Sequence, residues 1–164
     1  AESDYMDVIR RKTAILFASA CHGGAALSGK LEQYGQPLRD YGLGIGIAFQ
    51  IIDDVLDYQG DPEVMGKNVG DDLNEGKPTL PLIHVLRHGS DEEKALVSAA
   101  IRDKDASRIG DVIAAVQANG SLDYARQLAA DYQAQALGAL EALPDNPARE
   151  AMRGVAELAL ARDH

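Results

Sequence analysis

Apolar residues in the N-terminal segment return at helical intervals. Met6, Ile9, Leu16, Phe17 and Ala20 fall along one side of a helix in "SDYMDVIRRKTAILFASACHGGAALSG". Ser3 or Asp4 is the expected N-cap, and Gly23-Gly24 is a weak point or end. Residues 30–58 read as one long helix. Within it the run "GLGIGIAF" resembles a strand, but Gly42 and Gly46 lie four apart on one helical face, where they admit a neighbouring helix at short range. Residues 59–78, rich in Gly, Asp, Asn and Pro, break the pattern and predict a long loop, more often a lid or binding element than a plain connector. Further helices are expected over 79–88, 91–102, 105–119, 121–142 and 146–162, separated by "HGSD", "NGS" and "LPDNP". Two-residue alternation is scarce, so the fold class is an all-α helical bundle, with residues 1–164 read as a single domain lacking an internal boundary.

The long helix carries an anomaly. In "FQIIDDVLDYQGD" three aspartates, Asp53, Asp54 and Asp57, stand among Phe49, Ile51, Ile52, Val55 and Leu56. Gln50, Asp53 or Asp54, and Asp57 share one face by their spacing of three and four. Aspartate is a poor helix-interior residue, and like charges at this spacing repel. A solvated helix face is the simplest account. The apolar residues surround the acids too fully for a broad wet face, however, and point to carboxylates turned into a cleft. A hard divalent cation, magnesium above all, would offset the repulsion while leaving coordination positions for water or phosphate oxygen. The spacing matches no EF-hand loop, and a zinc site would call for histidines that are missing from it. Lys67 and Lys77, each preceded by glycine in the predicted loop, and Lys12 beside Thr13 are candidate phosphate contacts, although loop and helix-surface lysines are commonly just solvated. "EGKPT" is not a phosphate-cradling P-loop, because the glycine spacing fails and Pro78 removes a backbone donor.

Composition narrows the choice. With 164 residues and 46% hydrophobic positions the chain can build a core. A net charge of −10 disfavours nucleic acid as a partner. One cysteine, Cys21, excludes an internal disulfide framework and fits a cytoplasmic setting. No apolar run reaches the length of a membrane span, and the start carries no signal-peptide core. The sequence offers no convincing Ser-His or Cys-His pair, and His22, His84, His88 and His164 read as structural or surface residues.

"GIAFQIIDDVLDYQGD" followed by "MGKNVGDDLNEGKPTLPLIHVL", with "YMDVIRRKTAILFASA" upstream, resembles the C-terminal half of a trans-isoprenyl diphosphate synthase, most of all the bacterial octaprenyl branch that makes the ubiquinone side chain. The likeness runs through essentially the whole chain. It implies an isoprenoid-synthase helical bundle present as a partial domain. It also implies Mg²⁺-assisted ionisation of an allylic prenyl diphosphate and its condensation with isopentenyl diphosphate. Carried over by position, Asp53, Asp54 and Asp57 form the second aspartate-rich motif, with Asp53 the direct metal ligand. Gln50 orients that site, Lys12, Thr13 and Lys67 contact the allylic diphosphate, Lys77 closes over it, and Asp71 lies near metal-bound water. The first D-D-x-x-D motif, the isopentenyl diphosphate pocket and the determinants of product length are not in this sequence, so the chain alone is expected to be inactive. As half a bundle it is expected to expose apolar faces and to self-associate, as a homodimer or otherwise. The alternatives are a non-catalytic subunit of a two-component synthase, and a structural helical module whose acids keep it soluble.

Overall fold

The computed structural model describes residues 1–59, 70–105 and 107–161, and every regular element among them is helical. In chain order these are α1 (Glu2–Ile9), a π-helical turn (Arg10–Ala14), α2 (Ile15–Leu27), α3 (Leu31–Leu56), the single turn α4 (Asp71–Asn74), α5 (Leu80–His88), α6 (Asp91–Asp103), α7 (Ile109–Ala118), α8 (Ser121–Leu140) and α9 (Pro147–Leu160). The expected all-α class holds.

Several boundaries differ from those expected. The first helix begins at Glu2, before either proposed cap, and the Ala1 amino group is paired with Asp4. Gly23-Gly24 does not end α2. The stop lies at Gly29, whose φ of 69° is left-handed, while Gly29 N–H donates to Ala26 O and Lys30 N–H to Ala25 O. That pair of bonds satisfies the last carbonyls and needs a residue that tolerates positive φ. α7 begins at Ile109, not 105, because Lys104 takes a left-handed conformation at the end of α6 and the Asp105 carboxylate accepts from Ser107 N–H. "HGSD" proves to be a reciprocal cap: Ser90 Oγ accepts from Glu93 N–H, and the Glu93 carboxylate accepts from Ser90 N–H.

The chain divides into two compact units. One comprises Met6–Ile52 and Gln127–Arg162. Its core gathers Tyr41 and Ile45 of α3, Ala136 and Leu140 of α8, and Ala156 and Ala159 of α9. Small residues let these helices approach. A Cβ on Gly42 would lie 2.5 Å from Phe17 O, and one on Gly46 2.5 Å from Ala14 Cα, so the glycine face expected from the sequence is the face against α2 and the π turn. Gly44, on another side of α3, meets Tyr132 O of α8 at 2.8 Å. Tyr41 donates its hydroxyl to Met152 O and Gln133 its amide to Ala156 O, satisfying polar atoms beside this core.

The second unit comprises Ala1–Tyr5 and Asp53–Arg126. Tyr58, Leu73, Leu80, Leu82, Val85, Val97, Val112 and Val116 are fully buried. α5 contacts both α6 and α7, which contact each other. Thr79, at the start of α5, turns its hydroxyl to the Tyr58 phenol oxygen at 3.1 Å.

Candidate functional site

The helix that carries the acids has no wet face where they stand. Every residue from Tyr41 to Tyr58 is buried or half-buried. Gln50, Asp53 and Asp57 occupy the half-buried stripe, while Asp54 is 4% exposed. A solvated-face origin for the aspartates would require the opposite.

In the unit that contains them, the acids have different surroundings. Tyr5, from α1, is itself buried and donates its hydroxyl to Asp54 Oδ2 at 2.7 Å. Burial, then the Asp54 charge beside it, pushes the Tyr5 phenol well above its ordinary range, so the proton stays on the tyrosine. Asp57 follows the last regular turn of α3, and its Oδ2 accepts from Asp72 N–H at 3.2 Å. Burial, reinforced by the Asp72 charge and opposed by that backbone bond, pushes Asp57 up to about 6. A half-buried carboxylate raised by burial and by a neighbouring acid is eased by a cation placed beside it. Lys77 Nζ lies 2.9 Å from Asp72 and 2.6 Å from Glu75, which together hold the ammonium charged well above its ordinary range.

In the other unit, Lys12 and Thr13 lie on the π-helical turn. Such turns arise mostly as single insertions in α-helices and recur at functional sites. Thr13 Oγ1 donates to Gln50 Oε1 at 2.8 Å, so two of the expected site residues meet directly. Lys12 is exposed. Lys67 lies outside the described residues.

A resident Mg²⁺ takes oxygen ligands, often one or two carboxylates with water and phosphate, and needs no all-protein cage. The half-buried Asp53 and Asp57 supply such oxygens, and the Asp72 charge adds to burial in raising Asp57. The residues therefore fit the ion. Among the described residues no group of three or more His, Cys, Asp or Glu side chains converges as a metal cage.

Sequence reasoning passed over Tyr5, Asp72 and Glu75. A tyrosine on an apolar helix face signals a buried phenol that needs a partner, but nothing local identifies Asp54, 49 positions away, as that partner. Asp71, the loop acid expected near the site, adds its charge to that felt by Asp57, and the adjacent Asp72 donates its N–H to Asp57 and pairs with Lys77.

Comparison with known proteins identifies the family. The profile of the polyprenyl synthetase family matches residues 1–119. The chain is 47% identical to octaprenyl diphosphate synthase of Escherichia coli over 163 residues, covering 99% of this chain and 50% of that protein. It is 45% identical to the geranyl-diphosphate-specific all-trans-nonaprenyl-diphosphate synthase of Rhodobacter capsulatus, covering 98% and 49% respectively. The crystal structure of a polyprenyl synthase from Caulobacter crescentus, complexed with calcium and isoprenyl diphosphate, superposes with a TM-score of 0.92 at 38% identity, over 100% of this chain and 51% of that one. The chain thus spans about half the length of the relatives it matches. On these matches, and on a helical fold shared with solved synthases, the chain belongs to the polyprenyl synthetase family.

Proposed function

We propose that this chain supplies the diphosphate-ionising half of a trans-prenyltransferase, which lengthens an allylic prenyl diphosphate with isopentenyl diphosphate to a long-chain product, octaprenyl diphosphate for a quinone side chain. The observation that carries the reading is the absence of any exposed position between Tyr41 and Tyr58, with Asp53 and Asp57 half-buried and Asp57 pushed up to about 6. Mg²⁺, when bound, withdraws charge from the departing diphosphate.

The chain's own residues do the rest. Asp53 and Asp57 would hold the ion, with Asp54 behind them. Lys12, presented on the π turn that Thr13 and Gln50 tie to α3, would bind the allylic diphosphate together with Lys67. Lys77 would exchange its carboxylate partners Asp72 and Glu75 for phosphate oxygen as substrate arrives. These cations stabilise the negative charge that develops on the leaving oxygen as the allylic carbon–oxygen bond breaks. The isopentenyl double bond then attacks the allylic carbon, and the proton lost passes to the released diphosphate. No step calls for a side-chain nucleophile; the Ser121 hydroxyl meets His84 Nδ1 at 3.0 Å, but Ser121 is fully buried.

Because the sequence holds one D-D-x-x-D motif, we read the chain by itself as inactive and completed by a further helical segment. Among the described residues no helix is long and apolar enough to cross a membrane, and we assign the reaction to the cytoplasm, where Cys21 stays reduced. Exposed Val8, Leu16, Leu27, Val155 and Leu158 support self-association or burial against that further segment. The test is Asp53→Asn in a complete enzyme carrying this sequence, with incorporation of labelled isopentenyl diphosphate as the readout. Turnover should fall by orders of magnitude with helicity retained, and chromatography of wild-type products should give the eight-unit chain. An unchanged rate would refute the assignment.

A further inference from the structure

Tyr5 is buried at 8% exposure, comes from a different helix than the acids, and touches a charge without any part in the reaction outlined above. We propose that Tyr5 is a positioning residue for the cation site: by donating to Asp54 Oδ2 it anchors the end of α3 so that Asp53 and Asp57 present their carboxylates to a divalent cation. The inference rests on the reading of the acid stripe given above.

The geometry explains why an anchor is needed there. Asp53 and Asp54 lie in the last turn of α3, which ends at Leu56. Beyond it the ladder tightens, with Tyr58 N–H donating to Val55 O and Gln59 N–H to Leu56 O, three residues back in each case. Helix ends of this kind fray, and Asp57 sits at the transition. A hydrogen bond to an ionised carboxylate is shorter and about twice as strong as a neutral one, and at 4% exposure Asp54 has little water to turn to. The 2.7 Å bond from α1 therefore fixes the rotation of the turn whose neighbouring positions carry Asp53 and Asp57. Residues that orient metal ligands without touching the metal typically account for tenfold or more in affinity.

The test is titration with Mn²⁺, followed by loss of the free-ion electron paramagnetic resonance signal, in the presence of geranyl thiolodiphosphate. Tyr5→Phe should bind Mn²⁺ about tenfold more weakly than wild type. Ser90→Ala, which lowers stability through the α6 cap in the same unit, should bind as wild type does. If Tyr5→Phe does not fold, the double variant Tyr5→Phe/Asp54→Asn removes the donor and the charge together, and it should show the same weakening. Wild-type affinity in whichever of these variants folds would overturn the role of Tyr5 while leaving the acid stripe as a cation site. Failure of the wild-type chain to bind Mn²⁺ at all would overturn both.

Discussion

Replacing Asp57 by Asn should make the metal-free protein more stable, although it removes a residue assigned to the site. The side chain is half-buried and its carboxyl is pushed from the ordinary 3.8 to about 6, first by burial and then by Asp72. A raised carboxylate pKa means that the folded state binds the proton more tightly than the unfolded state does. The associated stability is fully present below the unfolded value, and it is lost as pH rises through about 6. A rise of this size in a fully shielded group is equivalent to about 3 kcal/mol. Asp57 is only partly shielded from water, so screening reduces the realised cost to about 1 kcal/mol. Asparagine carries no charge and still offers Oδ1 to Asp72 N–H. Urea denaturation with a chelator present should therefore show Asp57→Asn about 1 kcal/mol more stable than wild type near pH 8, with the gain shrinking toward zero near pH 4. An equal gain at both pH values, or a loss near pH 8, would refute the electrostatic account of the stripe.

Other substitutions probe the scaffold. Gly46→Ala would place a Cβ 2.5 Å from Ala14 Cα, a backbone contact that cannot rotate away. It should cost about 1–3 kcal/mol in thermal or chemical unfolding. Gly154→Ala in α9, where nothing lies within 4 Å, should instead stabilise by about 0.5–1 kcal/mol, and the opposite signs of the two glycines are the check. Ser90→Ala removes the reciprocal cap of α6 and should cost about 1 kcal/mol by denaturant midpoint, with no change in slope.

The helices were legible because their signals are local. The Ser90–Glu93 cap and Asn146 before Pro147 act through neighbours within one turn, and the spacing of Gly42 and Gly46 marks one helical face, although the partners it admits, Phe17 and Ala14, are distant in sequence. Boundaries set by backbone geometry were harder to read. Gly29, not Gly23-Gly24, adopts the left-handed φ that ends α2, and the choice among nearby glycines depends on the turn the rest of the fold requires. The π turn at Arg10–Ala14 left no mark in an ordinary helical pattern, although it carries Lys12 and Thr13. At the site, residue types and spacing singled out Gln50, Asp53, Asp54 and Asp57. Their different surroundings come from contacts far apart in sequence, Tyr5 on Asp54 and Asp72 on Asp57, which no periodicity encodes.

The central claim is that half-buried acids on α3 are tolerated because a divalent ion joins them to a diphosphate. Thermal unfolding of this chain, with and without Mg²⁺ plus geranyl thiolodiphosphate, tests it most directly. Ligand at ten times its Kd contributes about 1.4 kcal/mol, a rise of roughly 4 °C for a chain of this size. The account predicts that rise only when both components are present, and its loss in Asp53→Asn. An unchanged midpoint in the wild-type chain, or the same rise in Asp53→Asn, would contradict it.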